Sequence, residues 1–358
     1  MELKKYGIGI DISKSKFTAC VCSLYDNQEV HFTSSIDFEN DKKGFNQFTR
    51  WVRKNTNGGI ETLYLMEATG VYYENLAHHL FKIGKSLHVA LPSNTKHYQR
   101  SLNVKSKTDE IDSKVLSQFA CERKHKLWQP PKPIYSKLRS LTRYLDQLKR
   151  EKVAVSNRIH SKEHSFDIPK EILRQEKRLL KEIEKGIKVC LTEIKKLVAT
   201  DKELTLKVEK LSSIKGVGFL SVVTIIGETY GFAHFQSKKQ LTSYAGFDVT
   251  SRESGSSIKG KTRISKKGNS NIRKALYFPA MVASRYNKEL NTFYNRITQR
   301  RGVKKIGITA VSRKLLELLY ILWKTDRYYI EDYHQQKTAL EKSRAALDTE
   351  SLLETVPL

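Results

Sequence analysis

Scarcity of three kinds narrows the reading before any motif is considered. Cysteine is scarce: four in 358 residues, namely Cys20, Cys22, Cys121 and Cys190, at spacings that do not pair them as metal ligands. A disulfide framework and a zinc site are set aside, and reduced, buried thiols in a cytoplasmic protein are expected. Cys20 and Cys22 alternate in a strand-like run and would share one of its faces. Long apolar runs are missing too. No stretch approaches the roughly 18 residues of a membrane span, and Met1-Glu2-Leu3-Lys4-Lys5-Tyr6 has no signal-peptide core, so no membrane partner is expected. Acid is in short supply, with 38 Asp and Glu against 65 Lys and Arg and a formal charge of +27. That imbalance selects a polyanionic partner, nucleic acid ahead of a membrane surface. The length suffices for two domains, each with its own core.

The few acids present stand at informative places. Residues 6–11, 16–23 and 29–35 read as three short strands, followed by a helix over 42–54 on Phe45, Phe48 and Val52. A buried strand over 62–66 runs into Glu67; a helix over 72–83 and a strand over 87–91, stopped by Pro92, come next. The last element is a helix over 108–121, capped by Thr108 or Ser106, with Asp109, Glu110 and Asp112 in its first turn. This order is that of an RNase H-like sheet, an α/β form that an actin-like ATP-binding domain shares. Asp11 and Glu67 would end two neighbouring central strands, and Asp109 and Asp112, three apart, share one helix face. Singly, each has a bland reading as a turn cap, a lysine partner or a capped surface helix. Together, four hard-oxygen donors from three segments suit one or two Mg²⁺ ions that clamp the attacking and leaving oxygens of a phosphodiester. Lys105 and Lys107, with Arg123, Lys124 and Lys126, put cations beside that cluster, as a groove tracking a nucleic-acid backbone requires.

Pro130, Pro131 and Pro133 mark a linker. Leu138, Leu141, Leu145 and Leu148 then repeat in heptad fashion until Pro169, and a second helix carries Leu180, Ile183, Ile187, Cys190, Ile194 and Leu197, continuing through Leu204, Val208 and Leu211. A long helical hairpin, or a coiled coil between chains that aids dimerisation, is expected. Gly216 and Gly218 form a Gly-x-Gly turn between helices, the helix-hairpin-helix arrangement, where a backbone can approach a phosphate. Residues 244–276 are basic, glycine-rich and polar; lying between apolar helices, so long a loop suggests function. Arg263, Lys266, Asn269 and Arg273 are its favoured phosphate holders, and its hydroxyls among cations suit a phosphoryl-transfer nucleophile. Helix resumes over 275–324, with Leu276, Phe278, Met281, Val282, Phe293, Val311, Leu315, Leu318, Leu319, Leu322 and Trp323 as core. From about residue 331 the chain is charged, and a frayed tail is expected over 348–358.

Gly7-Ile8-Gly9-Ile10-Asp11-Ile12-Ser13-Lys14-Ser15-Lys16, Glu67-Ala68-Thr69-Gly70-Val71-Tyr72 and Lys107-Thr108-Asp109-Glu110-Ile111-Asp112 resemble, in order and spacing, the DEDD-type transposases of bacterial insertion sequences. Ser113 stands where that family has alanine. The resemblance implies a RuvC-like (RNase H-like) catalytic domain over 1–128 and a linker and helical coiled-coil region over 129–210. A mainly α C-terminal transposase domain with the helix-hairpin-helix would take 211–330, with a tail over 331–358. It implies an acidic tetrad of Asp11, Glu67, Asp109 and Asp112 binding Mg²⁺. The catalytic serine maps onto Ser254, before Gly255; because Asp248, Val249 and Thr250 replace the family's proline, Ser251, Ser256 and Ser257 stay in contention. Donor and target DNA as substrates, an element-encoded bridge RNA, and a homo-oligomer (dimer or tetramer) with a composite site follow from the resemblance alone. The rival readings are a Holliday-junction-type nuclease using water as nucleophile, an actin-like phosphotransferase, and a non-catalytic helix-hairpin-helix DNA-binding protein.

Overall fold

Along β1 (Leu3–Ile12), Tyr6, Ile8, Ile10 and Ile12 point alternately into one apolar layer, while Gly7 and Gly9 occupy the opposite face. Around this strand a computed structural model describes residues 1–331 except 69, 234, 252, 255–257 and 261, with backbone alone at 253, 254, 258 and 259. The described chain divides into two compact units, Met1–Pro130 and the part beginning at Pro131.

In the first unit β2 (Lys16–Tyr25) runs antiparallel to β1, and its far edge pairs with both β3 (Val30–Phe32) and β4 (Ile36–Glu39). Of the strand expected over 29–35 only Val30–Phe32 forms, and β4, which follows it, is unexpected. At Thr33 the N–H still bonds the Val21 carbonyl at 3.0 Å, but the side-chain hydroxyl accepts the Val21 N–H at 3.1 Å in place of a carbonyl, and strand pairing resumes at Ile36. After α1 (Lys42–Asn55), capped by Asp41, β5 (Glu61–Glu67) pairs parallel to β1. Then follow α2 (Glu74–Lys82), β6 (Leu87–Ala90) parallel to β5, α3 (Pro92–Ser101) and α4 (Asp109–Glu122). The strand ends before Pro92 as expected, but the helix that opens there is unexpected: proline sits in the first turn of α3, where the missing N–H costs nothing.

The strand order is β3-β2-β1-β5-β6, with β4 also on β2: a mixed sheet consistent with an RNase H-like fold. Phe17, Phe45, Phe48, Tyr64, Met66, Leu76 and Leu80 pack on one face of it, and Leu63, Leu65, Leu116 and Ala120 on the other. All four cysteines are free and buried.

The second unit is mainly helical. Helices α5 (Pro133–Glu163) and α6 (Lys170–Ala199) form an antiparallel hairpin, seen in the pairs Lys152–Glu184 at 2.7 Å and Lys177–Glu163 at 2.7 Å. The two leucine-rich seams thus meet within one chain. Helix α6 does not continue as expected. Asp201 caps a new helix, α7 (Lys202–Ser212), accepting the Leu204 N–H at 3.0 Å. The rest comprises α8 (Phe219–Thr229), α9 (Lys238–Tyr244), the short strands β7 (Val249–Thr250), β8 (Glu253–Ser254), β9 (Ile258–Lys259) and β10 (Arg263–Ile264), then α10 (Ser270–Tyr286), α11 (Lys288–Arg301) and α12 (Lys304–Thr325). One core holds the hairpin's base (Leu138, Leu145, Ile194) together with Val222, Ile226, Leu276, Val311, Leu315 and Leu319. Phe278 and Val282, expected inside, are 71% and 41% exposed on the outer side of α10. No helix among the described residues is long and apolar enough to cross a membrane.

Candidate active site

Three elements bring the acids together. Asp11 is the second-last residue of β1 and Glu67 the last of β5, and the register Ile10↔Met66 sets these parallel strand ends side by side. The helix α4 crosses β1 at very close range. A Cβ added at Gly9 would lie 2.1 Å from the Ser113 carbonyl oxygen, and one at Gly7 would lie 2.1 Å from that of Ser117. Ser113 is fully buried in this contact and donates its hydroxyl to the Glu110 carbonyl at 2.8 Å. The glycines are what allow the start of α4 to reach the strand ends with Asp109 and Asp112. Thr108 caps the helix, accepting the Ile111 N–H at 3.2 Å.

The electrostatics register the crowding. Burial first, then the charges of Asp112, Asp109 and Glu67, push the Asp11 carboxyl up to about 6, with Lys107 offsetting part. Burial also raises Asp112, against the opposing pull of Lys107 and of a hydrogen bond from Gln99. Lys107 therefore lies close enough to act on Asp11 and Asp112, and Lys105 is exposed two residues before it. A polar cleft of about 530 Å³, lined by Lys16, Thr18, Ser35, Asp37 and Asp109, opens alongside.

The carboxylates are neighbours without forming a cage. Among the described residues no group of three or more His, Cys, Asp or Glu side chains is disposed to hold a metal ion. In α3, Thr95 donates to Glu67, and one turn on Gln99 donates to Asp112 at 3.0 Å, so both carboxylates are oriented from outside the cluster. As a donor set the four acids fit a hard divalent cation, since they bring carboxylate oxygens from three elements to one place. Sequence reasoning missed Thr95 and Gln99; their signal was an i, i+4 polar pair following a proline that opens a helix. Partners of this kind typically set ligand affinity within 10–100-fold. Gln99→Leu is accordingly expected to raise the Mg²⁺ concentration for half-maximal thermal stabilisation about tenfold, with the metal-free melting temperature nearly unchanged; a Mg²⁺ titration by differential scanning fluorimetry measures both.

In the second unit the basic run is a tongue with an ordered root. Ser265 N–H bonds the Asp248 carbonyl at 2.8 Å, and Lys266 N–H the Gly246 carbonyl at 3.1 Å. Arg263 and Lys266 are exposed. Asn269 and Arg273, expected to hold phosphate, turn inward instead. Asn269 caps α10 and donates to Glu228 at 2.7 Å, while Arg273 donates to the Ala245 and Gly268 carbonyls at 2.8 and 3.2 Å. Ser254 pairs with Ile258 through the backbone, and its side chain, like all of Ser256 and Ser257, lies outside the described residues; Ser251 is exposed. Gly216 has φ +94° and packs on α10, where a Cβ would lie 2.9 Å from the Ala283 nitrogen, whereas Gly218 is open to solvent at the start of α8.

A mixed sheet with carboxylates at its strand ends, followed by a helical unit with a basic tongue, belongs here to an enzyme of the transposase and recombinase class, as the family matches show. A model described as "Transposase", of DEDD type, matches residues 8–162, and one described as "Transposase IS116/IS110/IS902 family" matches residues 208–295. The chain belongs to the IS110 family of transposases. It is similar to the pilin gene-inverting proteins of Moraxella lacunata and Moraxella bovis, each 29% identical over 341 residues, 93% of this chain and 100% of the relative. It also resembles an uncharacterized 43.6 kDa protein of insertion element IS110 from Streptomyces coelicolor, 24% identical over 119 residues, 33% of this chain and 29% of that protein.

Proposed function

We propose that the protein is a Mg²⁺-dependent DNA recombinase that cuts and exchanges strands at the ends of a mobile or invertible segment. The observation that carries this reading is the gathering of Asp11, Glu67, Asp109 and Asp112 from β1, β5 and α4 at one end of the sheet. These four would hold the metal, which when bound polarises the scissile phosphate and neutralises its charge. Lys105 and Lys107 draw the DNA backbone toward the acids, and Arg263, Lys266 and the open Gly218 turn contact phosphates in the second unit. The Ser254 hydroxyl attacks phosphorus: a serine O–P bond forms, the P–O bond to one deoxyribose oxygen breaks, and the serine proton passes to solvent as the leaving oxygen gains one. Attack by a hydroxyl of a second strand reverses these events and releases the serine.

The domain division drawn from the sequence, with a RuvC-like catalytic domain, an intervening coiled-coil region and a helix-hairpin-helix transposase domain, belongs to this reading. So do a homo-oligomer and an element-encoded bridge RNA that selects the DNA. Inversion of a DNA segment is a natural readout, given that the Moraxella relatives are pilin gene-inverting proteins.

The test incubates the purified protein, RNA from its flanking element and both junction DNAs with Mg²⁺, followed by denaturing gels for protein-linked DNA. Wild type should give an adduct; Ser254→Ala and Asp11→Ala should give none. Cutting by Ser254→Ala without any adduct would instead identify a nuclease that uses water.

A further inference from the structure

Glu228 is a fully buried carboxylate in the apolar helix α8. Arg143 of α5 reaches it with Nε at 2.6 Å and its second guanidinium nitrogen at 2.8 Å, and Arg139 adds an ion pair at 3.5 Å. Asn269 and Asn271 donate their side-chain amides to it at 2.7 and 3.0 Å. Burial would raise this acid, but the bonds from Arg143 and Asn269 outweigh it and hold the group below the usual glutamate range. Such an arrangement is a poor way to obtain stability, because well-packed apolar residues commonly match or better a buried ion pair.

Its position in the chain suggests another use. Tyr244 is the last residue before the tongue and Asn269 the first after it. The Tyr244 hydroxyl donates to the Glu228 main-chain carbonyl at 3.2 Å, Asn269 donates to the Glu228 carboxylate, and the Asn269 N–H closes the root on the Tyr244 carbonyl at 2.7 Å. One side chain and its own carbonyl thus tie down both roots, and the arginines tie that residue to the hairpin helix α5.

We infer that Glu228 is a positioning residue, which fixes the serine-bearing tongue to the hairpin arm by acting through Asn269 and Tyr244. The inference rests on the reading that a tongue serine is the nucleophile. A misplacement of about 1 Å can slow a reaction about a hundredfold, so the anchor matters to the rate even though Glu228 never meets DNA.

The cleanest variant is Asn269→Ser, whose hydroxyl keeps the helix cap but loses the amide tie. Glu228→Gln is the companion; should it fail to fold, with two guanidiniums left uncompensated, Asn269→Ser carries the test. In the full-length protein, trypsin cleavage at Lys259, Arg263 and Lys266 should accelerate about tenfold in Asn269→Ser, as the root loosens. Single-turnover adduct formation should fall about ten- to a hundredfold. The DNA concentration for half-saturation and the melting temperature should stay near wild type. Unchanged proteolysis would overturn the anchor, and faster proteolysis with an unchanged adduct rate would overturn its role in positioning. A matching loss of DNA affinity would overturn it as well, by returning Asn269 to the phosphate holders. Absence of any adduct in wild type would refute the serine reading, and with it the positioning role, while proteolysis still decides whether Glu228 holds the tongue.

Discussion

Asp11→Asn should abolish strand cleavage and, in the absence of divalent cations, make the protein more stable. Ordinarily a buried polar substitution costs stability; here the native residue is the costly one. Its folded carboxyl, raised from 3.8 to about 6, holds a proton more tightly than the unfolded chain does. Below the unfolded value both states are protonated and no penalty exists. Between the two values the unfolded chain ionises first, so stability falls, and above about 6 the full penalty stands. The shift alone would imply an upper bound of about 3 kcal/mol, and water reaching this half-buried site reduces it to roughly 1–2 kcal/mol. With EDTA present at pH 7.5, the variant should therefore melt roughly 3–8 °C above wild type, and the two should converge toward pH 4. Mg²⁺ should raise the melting temperature of wild type far more than that of the variant. Cleavage should drop by about a thousandfold or more, since the variant loses a charge that metal-assisted phosphoryl transfer relies on. A variant that melts lower than wild type in EDTA, or that still cuts, would dismantle the cluster as described.

Gly9→Ala is expected to be nearly as damaging to function, and to act through packing. The new methyl would sit 2.1 Å from the Ser113 oxygen and 2.2 Å from the Ser117 nitrogen, both backbone atoms of α4. Relief requires the helix to move by about 1 Å, because carbon seldom approaches such atoms closer than about 3 Å. Overpacking of this kind costs about 1–3 kcal/mol and sometimes more. It also carries Asp109 and Asp112 away from Asp11, so recombination should fall well beyond what the lost stability explains. Urea denaturation and strand-cleavage assays read the two effects. Gly58→Ala, where an added methyl meets nothing within 4 Å, serves as the control and should change stability by about 0.5 kcal/mol at most.

Gly7 and Gly9 illustrate how far the sequence could be read. Alternation in Tyr6–Ile12 and the acids that follow apolar runs announced the sheet and the places of Asp11 and Glu67, because strand periodicity and desolvation act on single residues. The proximity of α4 was hidden, since a glycine in a strand does not say which element will press on it. Helix α3 escaped because Pro92 serves equally as a terminator and as a first-turn residue, and with it went Thr95 and Gln99. Glu228 went unnoticed because it follows Val222, Val223, Ile225 and Ile226 in an apolar helix, and its partners lie as far away as Arg143. Asn269 and Arg273 were read as facing phosphate because their charge and polarity were visible, while the loop carbonyls and the buried acid that claim them were not. Phe278 and Val282 fit the helical period of a core and yet face outward.

The hairpin of α5 and α6 has a mechanical consequence. Leu148, Val155, Ile159 and Ile183 make a small cluster of their own, apart from the large core that seizes the hairpin's base. Beyond it the arm is stitched by exposed ion pairs such as Arg158–Glu176 at 2.9 Å and Lys177–Glu163 at 2.7 Å. Screening weakens such stitching while leaving apolar burial intact. In concentrated salt the far end should unzip while the root stays clenched, so whatever grips the tip takes hold of a compliant handle on a stiff shaft.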